Sequence, residues 1–490
     1  MSASASKKRR KEELLAQQAA PAKKEKKGST AKKIILGLVA ALLAVALIIT
    51  IGLLIKGQRY KADYDVNEPV MKVGDYEITA PMFNHFYTSQ LNNDYSYALM
   101  SQYGMLTSGA PLSQQQMMGS EYVEDLINKT KTTISNTVNI YLEAKNAGYT
   151  LTEDDQKMID DSVNSLKQAA RNSGFNFFGL TYDWFCSQYF GAGCTVQTYR
   201  NYLELVQYCI GYQESIDEDF DPSADEIADE YAANPDDYHV VSFSVYTVNA
   251  ESDGTDENGT ATYSDAAKAA AEEKANEAAA NFPEDATSAT DDYECISSDY
   301  SEDAAKWLFA ADRKAGDISV FPNTAKTAYR VIRYEALDVN DYNLMNAYLL
   351  KIPMDTEEGD HTHADAFKKL CDGAKDGISE DDFTKLAEEA GLSASAGMID
   401  RYSQIDEVTS FLYDSARKDG DIFTYTDEEA GYYYVVRFNH AEEDTYQTYL
   451  VKTKLHNDAK NEWLEGIYDN NTAEVFDEAM VNTYTDHMVY

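Results

Sequence analysis

The chain has 490 residues, with 84 Asp and Glu against 42 Lys and Arg and a formal net charge of −42. That length holds about three ordinary domains, and the charge excludes nucleic acid as a partner, because binding phosphates needs clustered Lys and Arg. Five cysteines without a C-x-x-C spacing exclude a dense disulfide framework.

Residues 1–33 are basic, with eleven Lys and Arg against three Glu, and Ile34 to Ile55 is a run of 22 residues without a charge. At about 1.5 Å per residue such a helix spans a bilayer core of ~30 Å. Lys32 and Lys33 before it, and Lys56 and Arg59 after it, mark its ends. The basic side stays cytoplasmic, so a single-pass protein with its bulk outside the cell is expected. A cleavable signal peptide fits less well, since the run exceeds a usual h-region and no small-x-small site follows. Beyond residue 33, 31 basic residues face 81 acidic ones, about −50 in all. This charge disfavours lying flat on anionic lipid. Cys186 and Cys194 are close enough in sequence to pair, but buried free thiols are the expectation.

Residues 71–80 read as a strand, a Gly-Asp turn and a second strand. A helix follows, with Pro81 in its first turn and Phe83, Phe86 and Tyr87 on one face. After a polar loop over 101–120, helices are expected at Glu121–Ala147, Thr152–Ser173 and Val196–Glu218, with Gly148 as a stop and Thr152 as a cap. Residues 60–235 thus form a mostly helical domain. A strand is expected at Tyr238–Val248, a helix at Ser264–Asn281, a short strand near Tyr293–Ser297 and a helix at Glu302–Ala311. A second series runs strand Leu344–Ile352, helices Ala364–Gly373 and Asp381–Ala390, a strand near Ala394–Ile399, a helix Gln404–Lys418 and a closing hairpin over Gly420–Phe438. The tail reads as a helix, Asp444–Ile467, then an extended stretch, Thr472–Val481.

These two series are copies. Trp307 to Ala336 lies over Phe411 to His440 without a gap at an offset of 104, with nine identities. They include Arg313-Lys314 over Arg417-Lys418 and Gly316-Asp317-Ile318 over Gly420-Asp421-Ile422. A duplicated unit of about a hundred residues is one domain per copy.

The order strand, helices, strand, helix, Gly-Asp-Ile, hairpin resembles the parvulin peptidyl-prolyl isomerase domain. AYRVIRYEA and YYYVVRFNHA are similar to its last strand, and FLYDSARKDGDI to its last helix and turn. MKVGDYEITAPMFNHFY, QYFGAGCTVQTYRNYLE and the tail KNEWLEGIYDNNTAEVFDEAM resemble pieces of extracytoplasmic foldases of the PrsA/SurA type. The resemblance implies an α+β chain with one N-terminal transmembrane helix, a helical SurA-like chaperone domain and two tandem parvulin-like modules. Its boundaries are a basic tail over 1–33, the span at 34–55, the helical domain at 60–235, modules at 236–338 and 339–441, and a tail at 442–490 that packs back on the N-terminal domain.

Prolyl isomerisation needs no covalent step, only a site that favours the twisted peptide bond over a barrier of ~20 kcal/mol. Active parvulins are implied to use a histidine on the first strand and another on the last. Those positions fall at Ser244 and Arg330 in copy one, and at Tyr348 and Tyr434 in copy two. His239 reads as a strand-entry residue, and His440 as lying beyond the last strand. The catalytic residues are therefore unknown, with the modules reading as degenerate, non-catalytic or weakly catalytic, and Tyr348 and Tyr434 able to stand in as hydrogen-bond donors. Client contact is expected at Trp307 and Phe309 and at Met398 and Phe411. The acidic loop holding His361 and His363 reads as solvated, with no metal site, and no cofactor is expected.

The resemblance implies a membrane-anchored foldase or holdase that binds unfolded or newly secreted chains in a bacterial envelope of the Gram-positive type, with a second copy in a homodimer as a further expected partner. An active isomerase and a scaffold for one folded partner are the alternatives.

Overall fold

A computed structural model describes residues 65–115, 118–172, 180–257, 259–355 and 361–476. The basic tail and the apolar run Ile34–Ile55 lie outside these residues. No helix among the described residues is long and apolar enough to cross a membrane. The fold is mixed α+β, and the chain divides into two units. Among the described residues one is Pro222–Leu455; the other holds 65–221 and 456–476. The first division comes ahead of the boundary expected at 235.

The N-terminal part of the helical unit opens with a hairpin, β1 (Pro69–Val73) and β2 (Tyr76–Thr79), turning at Gly74 with φ +58°. A Cβ there would come within 2.9 Å of Asn471 Oδ1, so only glycine fits. Helix α1 (Ala80–Asn92) starts at once, with Pro81 in the first turn. It breaks at Asn93, and α2 (Tyr95–Gln102) restarts from Asp94, whose carboxylate accepts from Tyr97 N at 3.0 Å and from the Tyr122 hydroxyl at 3.0 Å. Next come α3 (Gly119–Asn146), α4 (Glu153–Asn172), α5 (Tyr182–Tyr189) and α6 (Val196–Ser215). Thr152 and Asp155 exchange cap bonds at the start of α4, and Thr195 and Thr198 form a capping box on α6. Phe83, Phe86 and Tyr87 enter one core with Leu126, Ile134 and Val138 of α3, as their helical spacing predicts.

The other unit opens with α7 (Ala224–Ala233) and holds two sheets. The first contains β3 (Val240–Asn249), β6 (Thr287–Asp291), β7 (Ile318–Pro322) and β8 (Ala328–Asp338) in the order β6-β3-β8-β7. A two-residue-strand hairpin, β4 (Gly254–Thr255) with β5 (Ala261–Thr262), decorates its long loop. Helix α8 (Asp265–Ala280) covers one face; α9 (Tyr293–Asp299) and α10 (Glu302–Leu308) cover the other. The segment expected as a strand near Tyr293 is instead α9. The Asp292 carboxylate accepts from Cys295 N at 2.8 Å and caps it, and the strand falls earlier, at β6.

The second sheet contains β9 (Asn343–Pro353), β10 (Ala396–Ile399), β11 (Ile422–Asp427) and β12 (Tyr432–Thr445) in the order β10-β9-β12-β11. Helices α11 (Thr362–Gly373) and α12 (Glu380–Glu389) take one face and α13 (Asp406–Leu412) the other. The two sheets are all antiparallel, share one strand order, and agree in register at the 104-residue offset. Ser244 faces Arg333 as Tyr348 faces Arg437, and Ile318 faces Arg333 as Ile422 faces Arg437. Helix α13 ends at Leu412, short of the expected Lys418, because Asp414 accepts from Ala416 N and Arg417 and turns the chain.

The modules are joined by a buried knot. Asn340, at φ +57°, donates to Tyr238 O at 2.7 Å, and Gln447 donates to Val339 O and Asn340 O. Helix α14 (Tyr446–Tyr468) then leads to β13 (Ala473–Val475), which pairs with β1 in the order β13-β1-β2. The Asn139 amide donates to Tyr468 O and Asn471 O and accepts from Asn471 Nδ2, tying the tail to α3.

Candidate functional site

The motif that both copies keep builds the same corner twice. Asp421 accepts from Lys418 N at 3.0 Å, as Asp317 does from Lys314 N at 3.0 Å. Gly420 N donates to Phe438 O, and Gly316 N to Tyr334 O, so each turn is stitched to its last strand. The corner fixes the arginine that precedes it. The Arg417 guanidinium lies 4.8 Å from the Phe411 ring centroid and pairs with Asp414 at 2.9 Å and Asp421 at 3.6 Å. Arg313 lies 5.0 Å from the Trp307 ring and pairs with Asp312 at 2.8 Å and Asp317 at 3.5 Å. In both copies the buried Nε has no partner.

In the second module this stack walls an open groove of about 700 Å³, between α13 and the edge strand β11. Phe411 stacks on Phe423 at 5.1 Å, and Phe423 on Tyr425 at 6.3 Å, giving a ladder of rings along the strand. Asp406, Glu407 and Ser410 form the polar rim, with the Tyr425 hydroxyl donating to Glu407 at 3.2 Å. The first module keeps one ring of the pair: Trp307 lies 5.7 Å from Phe321, the counterpart of Tyr425, while Ser319 stands where Phe423 does. Half-buried rings with a charged rim suit an extended segment that is apolar with basic flanks.

The four positions matched to catalytic histidines do not come together. Ser244 faces α8 and donates to Glu335 at 2.9 Å, while Arg330 is on the opposite face, 5.4 Å from the Tyr300 ring. Tyr348 faces α12 and donates to Glu380 at 3.0 Å, while Tyr434 is buried on the α13 face. The reason is strand phase. Ser244 lies opposite Arg333, three residues from Arg330, and an odd separation reverses the face. Burial pushes the Tyr434 phenol up to about 12 and raises that of Tyr348, so both stay protonated.

Of the expected client contacts, Trp307 and Phe411 belong to the repeated stack. Phe309 is buried core against Tyr293 at 5.4 Å, and Met398 packs on Tyr342, Leu344 and Tyr446, away from the groove. Phe321, Phe423, Tyr425 and the two arginines were missed, although the identity of Arg313 and Arg417 between copies pointed at the corner they share.

No histidine enters either sheet centre among the described residues. His440 lies within β12, not beyond it, but at a bulge, exposed and 3.7 Å from Glu442. His239 is buried against the Tyr231 hydroxyl at 2.7 Å, and burial lowers its pKa. His363 sits 3.2 Å from Asp355, and no group of three metal-binding side chains exists among the described residues. No disulfide joins any of the five cysteines, and burial pushes the Cys186 and Cys209 thiols up to about 12, which leaves those two unreactive.

Compared with protein-family models and with curated proteins, the chain finds no match in either.

Proposed function

We propose that this chain is a membrane-anchored foldase or holdase of the PrsA/SurA type, carried outside the cell by Ile34–Ile55. Its parvulin-like modules hold segments of unfolded, newly secreted chains and do not isomerise them. The observation that carries this reading is the arginine-stacked aromatic corner, present at the same place in two sheets of identical strand order. The split of the four histidine-matched positions between opposite sheet faces favours holding over isomerisation. The acidic rim and the net negative charge of the chain favour basic, apolar client segments.

The test is aggregation of a reduced, denatured client, followed by light scattering without nucleotide. The full chain is expected to suppress scattering. Phe423→Ala with Tyr425→Ala is expected to weaken suppression severalfold, since ring contacts of this kind contribute about 1 kcal/mol each. The unfolding midpoint is expected to fall as well, since both rings are partly buried and stack on one another and on Phe411, so suppression is compared well below the midpoint of either chain. A chain that binds no unfolded client but captures one stoichiometric folded partner is a scaffold instead. In a proline-peptide assay the rate is expected to match buffer; activity that drops in Tyr348→Phe or Tyr434→Phe makes the chain an isomerase.

A further inference from the structure

The longest nearly uncharged stretch of the described residues carries an exposed apolar face. From Ile78 to Ser120 the only Asp, Glu, Lys or Arg is Asp94, in a chain with 84 acidic residues. Asp94 itself is occupied as the cap of α2 and as acceptor for Tyr122. Six large apolar side chains are exposed among the described residues, and four of them lie together here: Tyr95 at 77 %, Tyr103 at 68 %, Met105 at 53 % and Leu99 at 37 %. Tyr95, Leu99 and Tyr103 recur every fourth residue, so they form one stripe along α2 and its C-terminal turn. The opposite side is anchored by buried Met100 and by Tyr97, which packs on the core. Helix α2 is thus held by its inner side and presents tyrosines, a leucine and a methionine outward.

We propose that this stripe rests in the headgroup region of the outer membrane surface that anchors the chain. The proposal depends on the anchor reading above, and two observations favour lipid over other occupants. The first is tether length: only residues 56–64 separate the apolar run from Asp65, a reach of ~35 Å at most. Val66 lies beside Gly193 and Pro81 at the start of α1, and α1, ~20 Å long, carries the chain to the stripe. A face tethered within that combined reach needs little intrinsic affinity, because tethering supplies a high effective concentration. The second is charge. Anionic lipid repels the acidic surface of this chain, and a face without carboxylates is where approach costs least. The stripe has no Lys or Arg, so the contact is partition of rings and aliphatic groups into the interface, where tyrosine is enriched. The occupant is a zwitterionic or anionic lipid surface alike, since without Lys or Arg the stripe does not select anionic headgroups.

The experiment uses the full chain reconstituted in phosphatidylcholine vesicles with about one quarter phosphatidylglycerol. Flotation with the vesicles tests the anchor. Tryptophan is placed by Tyr95→Trp or Tyr103→Trp, and by Asp154→Trp as a control at the exposed start of α4. The three native tryptophans, Trp184, Trp307 and Trp463, supply the background to subtract. Brominated phosphatidylcholine is expected to quench the added emission of the two stripe variants, with a blue shift, and to leave the control unchanged. Adding Leu99→Asp is expected to abolish that quenching. A chain that floats while the stripe behaves like the control overturns the proposal and leaves the anchor standing. Emission that changes only on adding reduced unfolded client assigns the stripe to clients and overturns it, as does contact that appears only between copies at high protein density. A chain that does not float removes the anchor and the proposal together.

Discussion

At the scale of single residues, the duplication acts as an internal control. Arg333 and Arg437 occupy equivalent places, yet Arg437 is 2 % exposed and Arg333 is half exposed. Arg437 donates to Ile378 O at 2.9 Å, to Asp419 at 2.8 Å and to Asn439. Asp419 is solvated, so the ion pair itself adds little; the rest of the contribution comes from buried acceptors and packing. Arg437→Ala is therefore expected to destabilise by about 3 kcal/mol and Arg333→Ala by under about 1 kcal/mol, read from urea unfolding. His85 gives a second residue-scale prediction. It is buried among Phe190, Tyr199 and Tyr202, with Nε2 on Thr198 Oγ1 at 2.9 Å, and burial pulls its imidazole down to about 3. A lowered histidine stabilises fully above its unfolded value near 6.5 and loses that contribution as pH falls toward the folded value. At pH 5 the helical unit is expected to be about 2 kcal/mol less stable than at pH 7 from this group, a slope absent in His85→Phe.

At the scale of elements, the corner before each closing hairpin shows which repeated residues serve shape and which serve the surface. Gly316 and Gly420 both sit at positive φ, +91° and +86°. A Cβ at Gly420 would lie 2.7 Å from the Gly377 backbone, whereas at Gly316 it would meet nothing. Gly420→Ala is expected to cost about 3 kcal/mol or more, and Gly316→Ala about 1 kcal/mol, again measured by unfolding. The extra helix pair of the second module explains the asymmetry. Gly377 N donates to Gly420 O between α11 and α12, a contact that the single α8 of the first module does not make. Strand alternation was legible in sequence, but strand phase across partners was not. Ser244 and Arg330 each suit a strand, and only the register Ser244 to Arg333 reveals that they face apart.

At the scale of the whole molecule, the chain crosses between its units twice, so the N-terminal hairpin and the tail end up in the same unit. Strand β13 covers the free edge of β1, and Asn139 is satisfied only by the tail. Asn139→Leu is expected to leave Tyr468 O and Asn471 O unpaired and to cost about 2 kcal/mol. In calorimetry the loss is expected to lower one transition, that of the helical unit, while Arg437→Ala lowers the other. A single transition shifted equally by both variants means that the two units unfold together.

The tandem copies, the hairpin before the first helix and the capped helices were all legible from the order of residues, because each rests on local periodicity or on self-similarity. The groove was only half legible. Trp307 and Phe411 stood out as rings beside a repeated motif, but Phe321 meets Trp307 and Phe423 meets Phe411 from strands whose facing is set by pairing with the next strand. Which rings stack, which polar side chains share a face, and which apolar residues stay outside a core are decided by register and packing. Those depend on contacts between residues far apart in sequence, and no local pattern contains them.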